Sequence, residues 1–190
     1  MRPEQANDTM MEIGRLRRRT RSDLQAFWFP LIVFGALSIG GAAVIFASWG
    51  LAVALYWAVA GPAGGIATGR YYHQRGRNLG VETPPARYIA VAIAIMVGCF
   101  LTGAMGGARG SDLTAAVGPS LCISLGYVAF AYLERSVYVA VIAIALGALA
   151  CALVIGDMMP NRIAAILALV YGVTFLVTGL LFRAAAKGRE

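Results

Sequence analysis

The residues that could do acid–base chemistry are few, and they lie at the edges of long apolar stretches. The carboxylates nearest to those stretches are Glu82, Asp112, Glu134 and Asp157, and His73 is the only histidine. A general acid or base must lie within hydrogen-bond reach of the reacting proton, and none of these carboxylates pairs with another in the sequence. We therefore predict no catalytic residue. A lipid-modifying enzyme that uses an interfacial carboxylate is a weaker interpretation than a non-enzymatic function.

The interior of the apolar stretches contains no Asp, Glu, Lys, Arg or His. Ionisable residues within membrane spans mark proton relays, ion coupling and buried counter-ions. Their absence from this sequence weighs against a proton-coupled transporter. It also weighs against retinal, which needs a lysine, and against haem, because His73 lies between spans. We predict that the protein has no cofactor.

Serine and cysteine are the remaining nucleophiles. Residues 118–121, Gly-Pro-Ser-Leu, are similar to the Gly-x-Ser-Gly of rhomboid proteases, but the final glycine is missing and no span supplies a histidine base. The three cysteines, Cys99, Cys122 and Cys151, form no CxxC pair, which argues against a disulfide framework and against a zinc site. We interpret them as small packing residues and predict no metal site.

Composition assigns the chain to the integral membrane proteins. Of its 190 residues, 59% are hydrophobic and 13% are charged, and mean hydropathy is +0.73. A soluble domain has about a quarter of its residues charged. Because a helix needs roughly 20 apolar residues to cross the hydrocarbon core, we predict an all-α polytopic protein with six transmembrane helices in three hairpins. The predicted spans are about 27–47, 51–69, 88–107, 113–133, 137–156 and 163–182, within a membrane domain at 27–183.

The basic residues predict which side of the membrane each end occupies. Of the 16 Lys and Arg residues, only Arg109 and Arg162 fall on the side opposite the N-terminus. Cytoplasmic loops carry an excess of Lys and Arg, so both termini are predicted to be cytoplasmic in a multi-pass protein of the cell membrane. The net charge of +7 is then explained by a protein face toward an anionic inner leaflet. No nucleic-acid partner is needed to explain this charge, and we predict none. The predicted inner-face basic patch consists of Arg15, Arg17, Arg18, Arg19, Arg21, Arg70, Arg75 and Arg77.

Short tails flank the predicted membrane domain. In the cytoplasmic tail 1–26, Thr9 and Glu12 have the spacing of a capping box, and apolar residues follow at near-helical spacing among the arginines. This segment is either a basic amphipathic helix on the inner interface or a cytoplasmic extension of the first span. A second cytoplasmic tail is predicted at 184–190.

Small residues recur along one face of several spans, where they let helix backbones approach closely. We expect these faces to pack within a six-helix bundle, with a homo-oligomer contact as the alternative. The predicted helix-packing residues are Gly61, Gly64, Gly65, Gly69, Gly118, Gly126 and Gly147.

A few polar residues also lie at membrane depth, and they either line a narrow cavity between spans 4 and 6 or bond their own or a neighbouring helix. They are Thr102, Ser120, Ser124, Tyr127, Thr174 and Thr178.

Four stretches of the chain also carry a resemblance: RRRTRSDLQAFWFPLIVFGALSIG, YWAVAGPAGGIATGRYYHQRGR, VGPSL and AYLERS. Together they make the chain resemble a group of small six-span integral membrane proteins of actinobacterial type. The resemblance implies topology and a bacterial origin, and no established activity comes with it. The layout is also similar to that of ABC-2 type permeases, but residues 157–162 leave no room for their outer helical insertion before the last span.

Two functions of different classes remain. The first is a non-enzymatic accessory or scaffold subunit whose basic inner face docks another protein or anionic lipid. The alternative is a small passive permeation pathway, or a transport component, for an apolar or neutral solute. Because no Asp, Glu, Lys, Arg or His lies at membrane depth, we expect any transport to be independent of the proton gradient across these spans.

Overall fold

A computed structural model describes residues 28–48, 50–78, 86–156 and 158–187. Within these ranges the chain is helical and contains no strand. The predicted tail 1–26, with five of the predicted basic-patch arginines, lies outside the described residues, as do Glu82 and Asp157. The helices are α1 (Trp28–Ala47), α2 (Leu51–Asn78), α3 (Ala86–Ala108), α4 (Asp112–Glu134), α5 (Val137–Ile155) and α6 (Pro160–Lys187).

All six helices are long and apolar enough to cross a membrane, which confirms the prediction of an all-α chain with six span-length helices. Two of them continue past the predicted ends of their spans. α2 runs beyond residue 69 to Asn78, and its last turn contains Arg75 and Arg77. Positive side chains at this position stabilise the helix, because its C-terminal end has a partial negative charge. α6 reaches Lys187 through an Ala184–Ala186 run, and alanine is the strongest helix former.

The connections between the later helices are short and capped. The side chain of Ser111 accepts a hydrogen bond from the Thr114 N–H at the start of α4, and Ser136 does the same for Val139 at the start of α5. Arg135 ends α4 in a left-handed conformation with φ 54°, and its N–H points to the carbonyls of the last turn. Two residues therefore suffice to reverse the chain between α4 and α5, which pack against each other.

The most extensive helix pair joins the first and the last helix rather than sequence neighbours. α1 packs along α6, α4 packs on α3 and α5, and α4 also meets α6. The buried core lies among α1, α4, α5 and α6, with Leu31, Leu146, Ile163, Leu167 and Phe175 at its centre. α2 lies on the outside of α1, and α3 lies on the outside of α4. These two peripheral helices are the least buried of the six.

Candidate functional site

Three glycines bring α1 and α6 into backbone contact. A Cβ added at Gly35 would lie 2.7 Å from the backbone nitrogen of Leu176 and 2.9 Å from the carbonyl oxygen of Gly172. One added at Gly179 would lie 2.9 Å from the carbonyl oxygen of Trp28. No side chain fits at such separations, so glycine is what allows this pair to be so close. These three glycines were not among the predicted helix-packing residues.

Glycines also allow α3 and α4 to pack closely against each other. At Gly118 an added Cβ would lie 2.6 Å from the Cβ of Thr102, and at Gly126 it would overlap the side chain of Ile95. The hydroxyl of Thr102 donates to the Gly98 carbonyl of its own helix at 2.8 Å, so this predicted polar residue serves α3 rather than a cavity. Gly118 and Gly126 thus lie in a tight interhelical contact within the bundle.

The remaining predicted glycines divide into two groups. Gly64 is buried beneath Leu37 and Phe34 of α1, and Gly147 faces Ser124 of α4 at an ordinary contact distance of 3.4 Å. In contrast, an added Cβ at each of three other α2 glycines meets no atom of the described chain within 4 Å. These are Gly61, Gly65 and Gly69.

Intramolecular packing was the expected role of those three glycines, and the monomer does not place them against another helix. The reason is the position of α2. Along the middle of α2, the residues facing α1 are Tyr56, Ala60 and Gly64: the Tyr56 hydroxyl donates to the Leu37 carbonyl at 2.6 Å, and Ala60 and Gly64 are buried. Because residues one position further along a helix turn by about 100°, the neighbouring glycine row lies beside this contact instead of in it.

A hydroxyl cluster lies in the core between α4 and α6. The hydroxyls of Ser124 and Tyr171 are 2.5 Å apart, and the Tyr171 hydroxyl donates to the Ser120 carbonyl at 3.1 Å. A tyrosine has one hydroxyl hydrogen, so Ser124 must donate to Tyr171. The cluster is therefore satisfied within the protein. Tyr171 was not among the predicted polar residues, although its spacing of three from Thr174 and seven from Thr178 on one helix was visible.

A small cavity adjoins this cluster. Its walls include Leu31, Ser124, Tyr127, Ala143 and Thr178, so three of the six predicted polar residues do surround a cavity between α4 and α6. Its volume is about 10 Å³, which is about the space of one water molecule. Phe175 covers Tyr127 with ring centroids 4.5 Å apart. The cavity is too small for a solute larger than water.

An aromatic and cationic cluster lies where α1 begins and where α2 and α6 end. The rings of Phe29 and Tyr71 are stacked with centroids 4.0 Å apart, and Trp28 meets Tyr71 edge-on at 5.6 Å. Arg75 donates to the Tyr71 hydroxyl at 2.9 Å. The Arg183 guanidinium lies over the Trp28 ring, 5.2 Å from the centroid. We call Trp28, Phe29, Tyr71, Arg75 and Arg183 the aromatic–arginine cluster.

The predicted basic patch is only partly within the described chain. Arg70 and Arg77 are exposed and Arg75 is half-buried, and all three lie on the same end of α2 as the cluster. Arg183, which was assigned to the inner side but not to the patch, joins them through Trp28. Its contact across helices could not be read from the sequence, because it depends on the pairing of α1 with α6.

Other reactive groups are scattered. Among the residues that the structure describes, no three of His, Cys, Asp and Glu lie together in a way that could hold a metal ion. Asp112 is exposed in the first turn of α4. The Cys99 thiol donates to the Pro119 carbonyl at 3.5 Å, which places it in the α3–α4 contact. Asp112 therefore lies at the N-terminus of a helix and Cys99 in a contact between helices.

Comparison with known proteins identified no similar protein. No family model matches the chain, and no curated protein or solved structure shows significant similarity to it.

Proposed function

We propose that this protein is a non-enzymatic accessory or scaffold subunit of a complex in the cell membrane, with six spans in three hairpins and both termini cytoplasmic. The observation that carries the proposal is the position of α2 and α3. Among the described residues, each has extensive contacts with one other helix, and only 11% and 6% of their apolar windows are buried, against 39% for α6. Two whole helices are thus presented outward by a four-helix core.

The closed core supports a scaffold rather than a pathway. The hydroxyls of Ser124 and Tyr171 are bonded to each other and to the Ser120 carbonyl, so they offer little to a passing solute. The adjoining cavity has a volume of about 10 Å³. A permeation pathway needs a continuous route lined by groups that replace the hydration of the solute. The four central helices instead meet through glycine contacts and apolar packing.

The outward faces of α2 and α3 are proposed to meet a partner helix, and the basic inner face is proposed to meet a cytoplasmic partner segment or lipid. The outward face of α2 combines the uncovered row of Gly61, Gly65 and Gly69 with the large exposed side chains of Leu51 and Leu55 on the same side of the helix. Small residues beside bulky ones give helices in lipid a complementary surface. A second copy of the chain is the alternative occupant of this face.

Site-specific photo-crosslinking in native membranes tests the proposal. A photoreactive phenylalanine would replace Val59 on α2 or Phe100 on α3, which are 70% and 74% exposed. The control position is Val177 on α6, which is 48% exposed. We expect a discrete protein adduct at Val59 or Phe100 and lipid adducts alone at Val177. Lipid adducts alone at all three positions, together with a chain that migrates as a free monomer in native gels, would refute a scaffold role.

The alternative, passive permeation of an apolar or neutral solute, is supported by one observation. Ser124, Tyr127 and Thr178 contribute to the walls of the cavity. The surface that they present to it is apolar, so a partly polar route requires the bundle to widen and their hydroxyls to turn toward the opening. Reconstituted liposomes distinguish the two functions. Efflux of a small neutral solute such as glycerol above that of empty liposomes, reduced by Leu substitution at Ser124, would favour permeation over the scaffold.

A further inference from the structure

We propose that the aromatic–arginine cluster is a binding site for the phosphate headgroup of an anionic phospholipid. Three helices contribute to it: α1 with Trp28 and Phe29, α2 with Tyr71 and Arg75, and α6 with Arg183. The inference deepens the proposed contact of the basic inner face with lipid, because it names one site and one headgroup chemistry on that face. It uses only the orientation from that proposal, which assigns the site to the inner leaflet.

The position of the cluster along the helices places it at headgroup level. Trp28 is the first residue of α1, and Tyr71 follows directly after the apolar part of α2 ends at Arg70. Tryptophan and tyrosine rings concentrate at the boundary between hydrocarbon and headgroups. Arg183 follows the apolar run of α6. The guanidinium groups are therefore at the depth where lipid phosphates lie.

The aromatic rings hold the arginines in place. Arg183 lies over the face of Trp28, and a guanidinium stacked in this way still directs its N–H groups outward from its edge. The Arg183 side chain is exposed, so those donors face the surroundings of the helix bundle. The Tyr71 hydroxyl, which accepts from Arg75, is part of a ring fixed by stacking on Phe29. Preorganised arginines bind a phosphate with less loss of side-chain freedom than free ones.

The charge around the cluster favours a phosphate and disfavours a zwitterionic headgroup. Arg70 and Arg77 are exposed on the same end of α2. Arginine donates paired hydrogen bonds to phosphate oxygens, and a quaternary ammonium group would be repelled by the surplus of positive charge. The opposite ends of the helices provide a contrast, because Arg162 at the start of α6 is exposed and no aromatic residue lies within five residues of it in the sequence.

Lipid titration of the full-length protein in neutral detergent, read by native mass spectrometry, tests the site. The probes are phosphatidylglycerol and phosphatidylcholine with identical acyl chains. We expect phosphatidylglycerol to be retained preferentially. Each Gln substitution at Arg183 or Arg75 should weaken that binding about fivefold, which is the equivalent of about 1 kcal/mol for each arginine near an anionic headgroup. Arg162→Gln, on the same helix as Arg183, should leave it unchanged.

Further variants separate a lipid site from a structural role. Trp28→Leu keeps both charges but removes the ring under Arg183, so it should lower the preference without changing the net charge. Arg183 is exposed, and Arg183→Gln should therefore fold with the thermal stability of the parent in lipid-free detergent. Equal binding of both lipids, or an equal loss of preference in Arg162→Gln, would overturn the proposal.

Two competition experiments test the identity of the ligand. Inorganic phosphate in millimolar excess should not displace phosphatidylglycerol, because it lacks acyl chains to lie along α1 and α6. Displacement by phosphate would identify a site for a soluble anion. Displacement by a poly-glutamate peptide would identify a contact for an acidic protein segment. Either result would overturn the assignment to lipid.

Discussion

Adding one methyl group to Gly35 tests the backbone contact between α1 and α6 most directly. In Gly35→Ala, the new Cβ would lie 2.7 Å from the Leu176 nitrogen and 2.9 Å from the Gly172 carbonyl oxygen. Both are backbone atoms, so no side chain can rotate away. The helices must separate by a few tenths of an ångström or more, and every contact along the pair is weakened.

The size of the effect follows from two opposing contributions. Overpacking of a tight contact costs about 1–3 kcal/mol, whereas alanine stabilises a helix by about 0.8–1.0 kcal/mol relative to glycine. The difference is a net destabilisation of about 0–2 kcal/mol, and because both clashing atoms belong to the backbone we expect the upper part of that range. At about 2–4 °C per kcal/mol for a chain of this size, Tm should fall by several degrees.

Gly65→Ala is the matched control, since it also changes a mid-helix glycine. An added Cβ at Gly65 meets no atom within 4 Å, so only the helix-propensity gain remains and Tm should stay constant or rise. The assay is thermal unfolding in one detergent at one scan rate, because irreversible unfolding makes Tm depend on that rate. Equal shifts for the two variants, or a larger fall for Gly65→Ala, would refute the helix arrangement described above.

The remaining predictions concern topology, the hydroxyl cluster and energy coupling. In a chain without native cysteines, a cysteine at Ser111 should react with an impermeant reagent from outside intact cells and one at Gln74 should not; the reverse pattern would contradict the proposed orientation. Tyr171→Phe should destabilise the protein by about 1–3 kcal/mol because it leaves the buried Ser124 hydroxyl without its partner and removes the additional bond to the Ser120 carbonyl. Ser124→Ala should change stability much less when added to Tyr171→Phe than when made alone. Purely additive unfolding energies would show that the two hydroxyls are not coupled. Solute uptake into proteoliposomes, if any is found, should be the same with and without an imposed pH gradient, and gradient-dependent uptake would require a coupling site outside the apolar spans.

The number and nature of the helices were predictable because they depend on local composition. Charged residues bound each of the last four spans, and a turn at residues 48–50 divides the first uncharged stretch into two. A stretch of about 20 apolar residues has one stable form in a hydrocarbon core, a helix that satisfies its own backbone. The short connections were also predictable, since Ser136 follows the end of one apolar run and begins the next. The continuation of α2 and α6 beyond their predicted spans was not predicted, because a helix can extend past the end of its apolar segment.

The helix-packing residues show what local patterns leave open. Gly61, Gly65 and Gly69 have the spacing typical of a packing face, yet the three lie beside the α1 contact. Gly35 and Gly172, which have no such repeat, lie in the backbone contact between α1 and α6, where a Cβ added at Gly35 would lie 2.7 Å from the Leu176 nitrogen. The spacing of small residues identifies a helix face that can pack against a neighbour, but it does not specify which of the other helices packs against that face.

The sequence by itself determined that the chain has six apolar helices of membrane-spanning length, because hydrophobicity and helix geometry act within a segment. Only the tertiary structure decided that the first helix packs on the last, that Tyr171 bonds Ser124 across the core, and that Arg183 lies over Trp28. Each of these contacts joins residues far apart in the chain. In lipid, apolar burial does not distinguish one helix pair from another, so close packing between complementary surfaces selects the partners.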